Sequence, residues 1–141
     1  MRYTFTGCTN LDEICELPNG LENMMSTFMQ TGITKMPNIP QSVNNMYGTF
    51  HSCINMNSVT SIPANVKDLD RTFARCSLLT EPVVIPEGVK NMNFTFEGCT
   101  SLTKASNIPT SVESMESTFE GCTSLESATT IPFSVTNMRK V

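Results

Sequence analysis

Apolar residues along the chain follow a long period rather than a simple alternation. Thr-Phe recurs at Phe5, Phe28, Phe50, Phe73, Phe96 and Phe119, in steps of 22 or 23 residues. Three residues after the Phe stands Cys8, Cys53, Cys76, Cys99 or Cys122, and the second copy, one residue short, has none. Further on come Leu11, Ile33, Met56, Leu79, Leu102 and Leu125, then Ile14, Met36, Val59, Pro82, Ala105 and Ala128. Leu17, Ile39, Ile62, Ile85, Ile108 and Ile131 follow, each with a Pro directly after it. Six copies of 22–23 residues take up residues 1–141 as one unit, with no separate capping domain expected.

Within a copy, the segment from Leu to Ile-Pro is too short for a helix, and Pro has no N–H for a ladder. A strand of three or four residues around Ala105 or Ala128 is predicted there. Two residues past each Pro stands Gly20, Ser42, Asn65, Gly88, Ser111 or Ser134, all residue types favoured at a helix N-cap. Val112, Met115 and Phe119 then fall on one helical face, so a short helix is predicted, with Gly98 and Gly121 ending it in a left-handed conformation. One copy has too few apolar side chains to fold alone, whereas stacked copies bury a continuous core. The predicted architecture is a leucine-rich-repeat-like solenoid, with short parallel strands on one face and short helices on the other. Five inter-strand steps make it about 25 Å long.

Composition narrows the function classes. The net charge is −4 and 16% of residues are charged, which disfavours a nucleic-acid binder that works by neutralising phosphate. With 39% apolar residues the chain can bury a core. The longest apolar runs, such as Pro82-Val83-Val84-Ile85, fall far short of the roughly 20 residues that span a bilayer, so no membrane insertion is expected. The first residues lack the apolar stretch of a signal peptide. One His, no Trp and three Asp offer little catalytic material.

The unit Met115-x-x-Thr118-Phe119-x-x-Cys122-x-x-Leu125-x-x-Ala128-x-x-Ile131-Pro132-x-Ser134-Val135 resembles the BspA-like leucine-rich repeats of bacterial surface proteins, over essentially the whole chain. The resemblance implies a curved solenoid with strands on one face, display at a cell surface, and adhesion or protein binding. Thr-Phe replaces the more familiar Ala-Phe, and Pro82, Ala105 and Ala128 stand where a larger aliphatic is usual.

Chemistry-bearing residues have simple structural readings. Five of the six Cys share one phase and predict a buried, reduced column, since free Cys behaves as a small hydrophobe; no C-x-x-C pair offers a zinc site. Cys15 is expected to be an exposed thiol. His51 lies at a variable phase and is expected in solvent. Asp68 and Asp70 lack the further ligands of a calcium loop and read as a solvated face. Met24, Met46, Met92, Met115 and Met138 share one phase, with Leu69 in the remaining copy, and are expected in the core. Asn93-Phe94-Thr95 matches a glycosylation sequon, but Thr95 belongs to the structural Thr-Phe pair. No catalytic residue, metal ligand or cofactor is assigned.

The remaining candidate is the outward strand face, comprising Asp12, Glu13, Lys35, Asn57, Ser58, Thr80, Glu81, Thr103, Lys104, Glu126 and Ser127. It is varied, polar and without aromatic platforms, which favours a protein partner over a polysaccharide; the alternative is a merely solvated sheet face. The leading expectation is therefore a non-catalytic binding or adhesion module. The alternative is a structural component of a virion or surface assembly. Both ends lack a polar cap and expose Phe5, Leu11 and Leu17, or Leu125, Ile131 and Val135. This predicts end-to-end self-association or insertion in a larger assembly, unless the chain is a piece of a longer protein.

Overall fold

The computed structural model describes residues 1–141. The chain winds through six layers, 1–23, 24–45, 46–68, 69–91, 92–114 and 115–137, and residues 138–141 start a further turn. Phe5, Phe28, Phe50, Phe73, Phe96 and Phe119 form one stack, with successive ring centroids 5.6–5.9 Å apart and planes within 11° of parallel. Around it run the columns of Met24, Met46, Leu69, Met92 and Met115, and of Val43, Val66, Val89 and Val112, all fully buried. Each side chain packs on its equivalents above and below, so the repeated apolar phases become one core.

The solenoid holds no helix, which corrects the prediction, and its only sheet-like pairs are isolated parallel bridges. The segment expected as helix is a row of overlapping turns. Alternate amides close onto their own turn, as in Thr27 N to Met24 O, Met29 N to Ser26 O and Thr31 N to Phe28 O. The amides between them donate to the next layer: Ser26 N to Tyr47 O, Phe28 N to Thr49 O and Gln30 N to His51 O. The backbone is therefore satisfied without i→i−4 bonds. Residues two before and two after each Phe are left-handed, among them Ser26, Arg71, Phe94 and Ser117 before it and Gln30, Ser52, Arg75, Gly98 and Gly121 after it. Such residues break a helix. Gly98 and Gly121 are left-handed as expected, but they turn a spiral rather than end a helix. The offsets of Val112, Met115 and Phe119 fit both structures, which is why they misled.

The main parallel ladder passes through Asn23, Asn45, Asp68, Asn91, Ser114 and Asn137. Each of Asn23, Asn45, Asp68 and Asn91 accepts the amide two residues on at its side-chain oxygen, at 2.8–3.1 Å, an Asx turn that pins the chain as it leaves the ladder. The residues read as N-caps lie in Pro-x-x-Val turns, Pro-x-x-Leu in the first layer, for example Val112 N to Pro109 O and Leu21 N to Pro18 O. Ser42 and Ser111 there donate to the preceding layer, at Leu21 O and Val89 O.

The Thr of each Thr-Phe pair has a specific task. Thr49, Thr72, Thr95 and Thr118 are fully buried, and their hydroxyls donate at 2.8–3.0 Å to the carbonyls of Met24, Met46, Leu69 and Met92 one layer back. Cys53, Cys76, Cys99 and Cys122 likewise donate their thiols to the preceding layer's Phe carbonyl, at 2.9–3.3 Å. In the short second layer Thr31 takes the Cys place and bonds Phe28 O. The missing residue brings Gly32 so close to the first layer that a Cβ there would lie 2.4 Å from Thr9 O.

The apolar assignments change at Pro82, Ala105, Ala128 and Met138. Pro82 is exposed and Val83 takes its core place, with Val83 N donating 3.0 Å to the Oγ of fully buried Ser106. The inward position thus shifts by one residue after the third layer, and Ala105 is half-buried while Ala128 is exposed. Met138 is 50% exposed, because nothing packs above it. Phe5, Leu11, Leu17, Leu125 and Val135 in the end layers are half-buried, and Ile131 is exposed.

Candidate binding surfaces

The outward face predicted from sequence exists as a second, shorter ladder. Lys35 bridges Ser58, and Lys104 bridges Ser127. Thr34 N donates to Asp12 O, Asn57 N to Thr34 O, Thr103 N to Thr80 O and Glu126 N to Thr103 O, which stacks the candidates of the first three layers and, separately, those of the last three. Asp12, Glu13, Lys35, Asn57, Ser58, Thr80, Glu81, Lys104, Glu126 and Ser127 are exposed, and Thr103 is half-buried. Between the third and fourth layers the ladder is interrupted. Pro82 also has no N–H for the bond that Met36 makes to Ser58 O.

Three hollows accompany it. An open groove of about 680 Å³ lies between the first two layers, walled by Ile14, Leu17, Met36, Ile39 and Cys15. A polar notch of about 500 Å³, lined by Thr9, Gln30, Gly32, Ser52 and Asn55, marks the shortened turn. An apolar hollow of about 220 Å³ lies beside Ala105, Phe119, Leu125 and Ala128, where the alanines leave space that larger aliphatics would fill.

All six cysteines are free, with Cys8 and Cys15 exposed and the other four buried. Burial raises the thiol pKa of Cys53, Cys76 and Cys99, and raises that of Cys122 to about 11. These thiols are protonated hydrogen-bond donors at neutral pH, the opposite of a nucleophilic Cys.

His51 is half-buried rather than in solvent; burial first, then the charge of Arg75, lowers its pKa. Its Nδ1 lies 3.0 Å from Ser52 Oγ. Asp68 and Asp70 are also half-buried. Asp68 sits in the main ladder, and Asp70 pairs with Arg71 at 2.8 Å, while burial raises the Asp70 pKa against the lowering effect of Arg71. Thr95 of the sequon is fully buried with its hydroxyl bonded to Leu69 O and Met92 O, and Asn93 Oδ1 accepts from Glu116 N and Ser114 Oγ. No three His, Cys, Asp or Glu side chains come together as a metal site, and no helix is long and apolar enough to cross a membrane.

The solenoid is similar over 87% of its length to a leucine-rich cell surface protein of Faecalibacterium prausnitzii A2-165, with 27% identity and a TM-score of 0.63. A leucine-rich repeat protein of Bacteroides ovatus ATCC 8483 shares the fold over 82% of the chain, at 18% identity and a TM-score of 0.62. The chain spans 30% and 36% of the lengths of these two structures. No functionally curated protein matches it in sequence. The BspA type leucine rich repeat region matches residues 1–93 and 47–140, in six copies. With the Phe stack recurring in every layer and the thiol column in all but the second, the chain belongs to the BspA-type leucine-rich repeat family.

Proposed function

We propose that the solenoid is a non-catalytic protein-binding module displayed at a cell surface, where it serves adhesion. The observation that carries this reading is the contrast between its columns. Inward positions repeat nearly unchanged, whereas the ladder face from Asp12 to Ser127 changes residue and charge from layer to layer while staying exposed. A rigid scaffold with a varied polar face suits recognition of one partner over others. The similarity to a leucine-rich cell surface protein supports the surface setting.

A photo-crosslinking amino acid placed at Ser58 or Ser127, and at exposed Asn65 on a different turn as the control, tests the reading. Capture of one discrete protein from the native cells' surroundings at the first two positions, abolished by Lys35→Glu with Lys104→Glu, is expected. Equal capture at Asn65, or none at any position, would count against the ladder face.

A further inference from the structure

A second surface runs along the main ladder, on the residues two and three before each core Phe. It holds both tyrosines of the chain, Tyr3 and Tyr47, and Phe94, one of two Phe outside the stack. Tyr3 is 54% exposed, and Tyr47, Arg71 and Phe94 are half-buried. Tyr47, Arg71 and Phe94 form a connected group, and Tyr3 lies further along the same columns. The Arg71 guanidinium lies 4.2 Å over the Phe94 ring, and its Nη1 donates to Tyr47 Oη at 3.3 Å and Asp70 Oδ1 at 2.8 Å. Towards the first layer, Arg2 Nη2 and Tyr3 Oη both donate to Met25 Sδ, at 3.2 and 3.4 Å.

Backbone conformation shows that the scaffold does not require these large residues. The position two before each Phe is left-handed in every layer. Ser26, Gly48 and Ser117 fill it in three layers and are buried. Tyr3, Arg71 and Phe94 fill it in the other three, with φ of 55°, 55° and 53°. A bulky side chain in this region is strained, and Gly or Ser meets the same backbone demand. What Tyr3, Arg71 and Phe94 add is an outward display of aromatic and guanidinium groups, the residue types that dominate protein-binding hot spots.

Charge defines the partner. Over its five layers the strip carries two cations (Arg2, Arg71) against one carboxylate (Asp70), in a chain of net charge −4. The strip is one or two side chains wide and five layers long, a shape suited to an extended segment crossing the layers.

We propose that this strip binds an extended, acidic protein segment bearing apolar side chains, with the apolar groups on Tyr47 and Phe94 and a carboxylate on the free nitrogens of Arg71. The surface is separate from the ladder face of Asp12 to Ser127, and neither assignment depends on the other.

The probe is a fluorescently labelled decapeptide of alternating Glu and Leu, titrated with the intact 141-residue chain at low salt. Saturable binding is expected, weakened at least about tenfold by Phe94→Ser and by Arg71→Gly and unchanged by Lys104→Glu on the other ladder. Both strip variants should retain a cooperative thermal transition, because Ser26 and Gly48 already occupy this backbone. Four results would overturn the proposal: no saturable binding, equal binding of an alternating Lys-Leu peptide, binding indifferent to both variants, or binding of a neutral glucan hexasaccharide at the same residues in place of the peptide. Loss of the cooperative transition in both variants would show the strip to be structural and overturn it as well.

Discussion

The central layers and the end layers contain the same residues in different circumstances. Phe28, Phe50, Phe73 and Phe96 are fully buried between two rings each, whereas Phe5 and Phe119 have one ring neighbour and are half-buried. Met24 through Met115 are sealed, but Met138 is not. Cys53, Cys76 and Cys99 are fully buried and bond a carbonyl one layer back, while Cys8, with no layer behind it, is exposed. The sequence motif alone does not create a core position; a neighbour on each side does. Stability is therefore shared between layers, as in other one-dimensional repeats.

Replacing a stacked ring should widen this contrast most. Phe73→Ala or Phe96→Ala is expected to cost about 3–5 kcal/mol in a denaturant titration, while Phe5→Ala costs clearly less. Equal costs at Phe73 and Phe5 would break the comparison.

The thiol column gives the next largest effect. Burial raises the folded pKa of Cys122 to about 11 against an ordinary 9.0. Because the folded value is raised, the stability that the thiol contributes is complete below pH 9 and is lost as the pH rises through the folded value. Cys53, Cys76 and Cys99 shift in the same direction. Unfolding free energy measured from pH 8 to 11 should fall with pH, and should fall less in a Cys122→Ala chain. Identical slopes would contradict the buried, protonated column.

The smallest effect separates the threonines. Thr72→Val keeps the volume but removes the hydroxyl that donates to Met46 O, at a cost of about 1 kcal/mol. Thr4 is exposed, and Thr4→Val should leave the melting curve unchanged.

These comparisons also show why the sequence was legible in some respects and opaque in others. The stack of Phe5 to Phe119, the Met column and the thiol column could be read directly, because a residue that must meet its own copy recurs at a fixed period. The ladder face could be placed because it lies between two such columns. The row of turns could not, because apolar offsets of 3 and 7 mark an inward face in a helix and in a turn spiral alike. Its signature is left-handed Ser26, Gln30, Arg71 and Phe94, residue types with no strong preference for that region. The Asn23, Asn45 and Asn91 column was the available clue, since Asn at a fixed phase favours an Asx turn. The exchange of Pro82 for Val83 was hidden because two apolar neighbours leave the register undecided. The strip around Arg71 was missed because Tyr47, Arg71 and Phe94 stand in different copies and two different phases, so the contacts of Arg71 with both rings exist only after stacking.

Amide hydrogen exchange on the intact chain tests the stacking account most directly. Phe28, Phe50, Phe73 and Phe96 each donate their N–H to the next layer, at Thr49, Thr72, Thr95 and Thr118 O, whereas Phe119 N makes no such bond. The account predicts that the Phe50 and Phe73 amides exchange slowest and by the same global opening, that Phe5 exchanges faster, and that Phe119 exchanges fastest of the six. Protection of Phe119 equal to that of Phe73, or rapid exchange at Phe50 and Phe73, would contradict a fold held together by contacts between neighbouring layers.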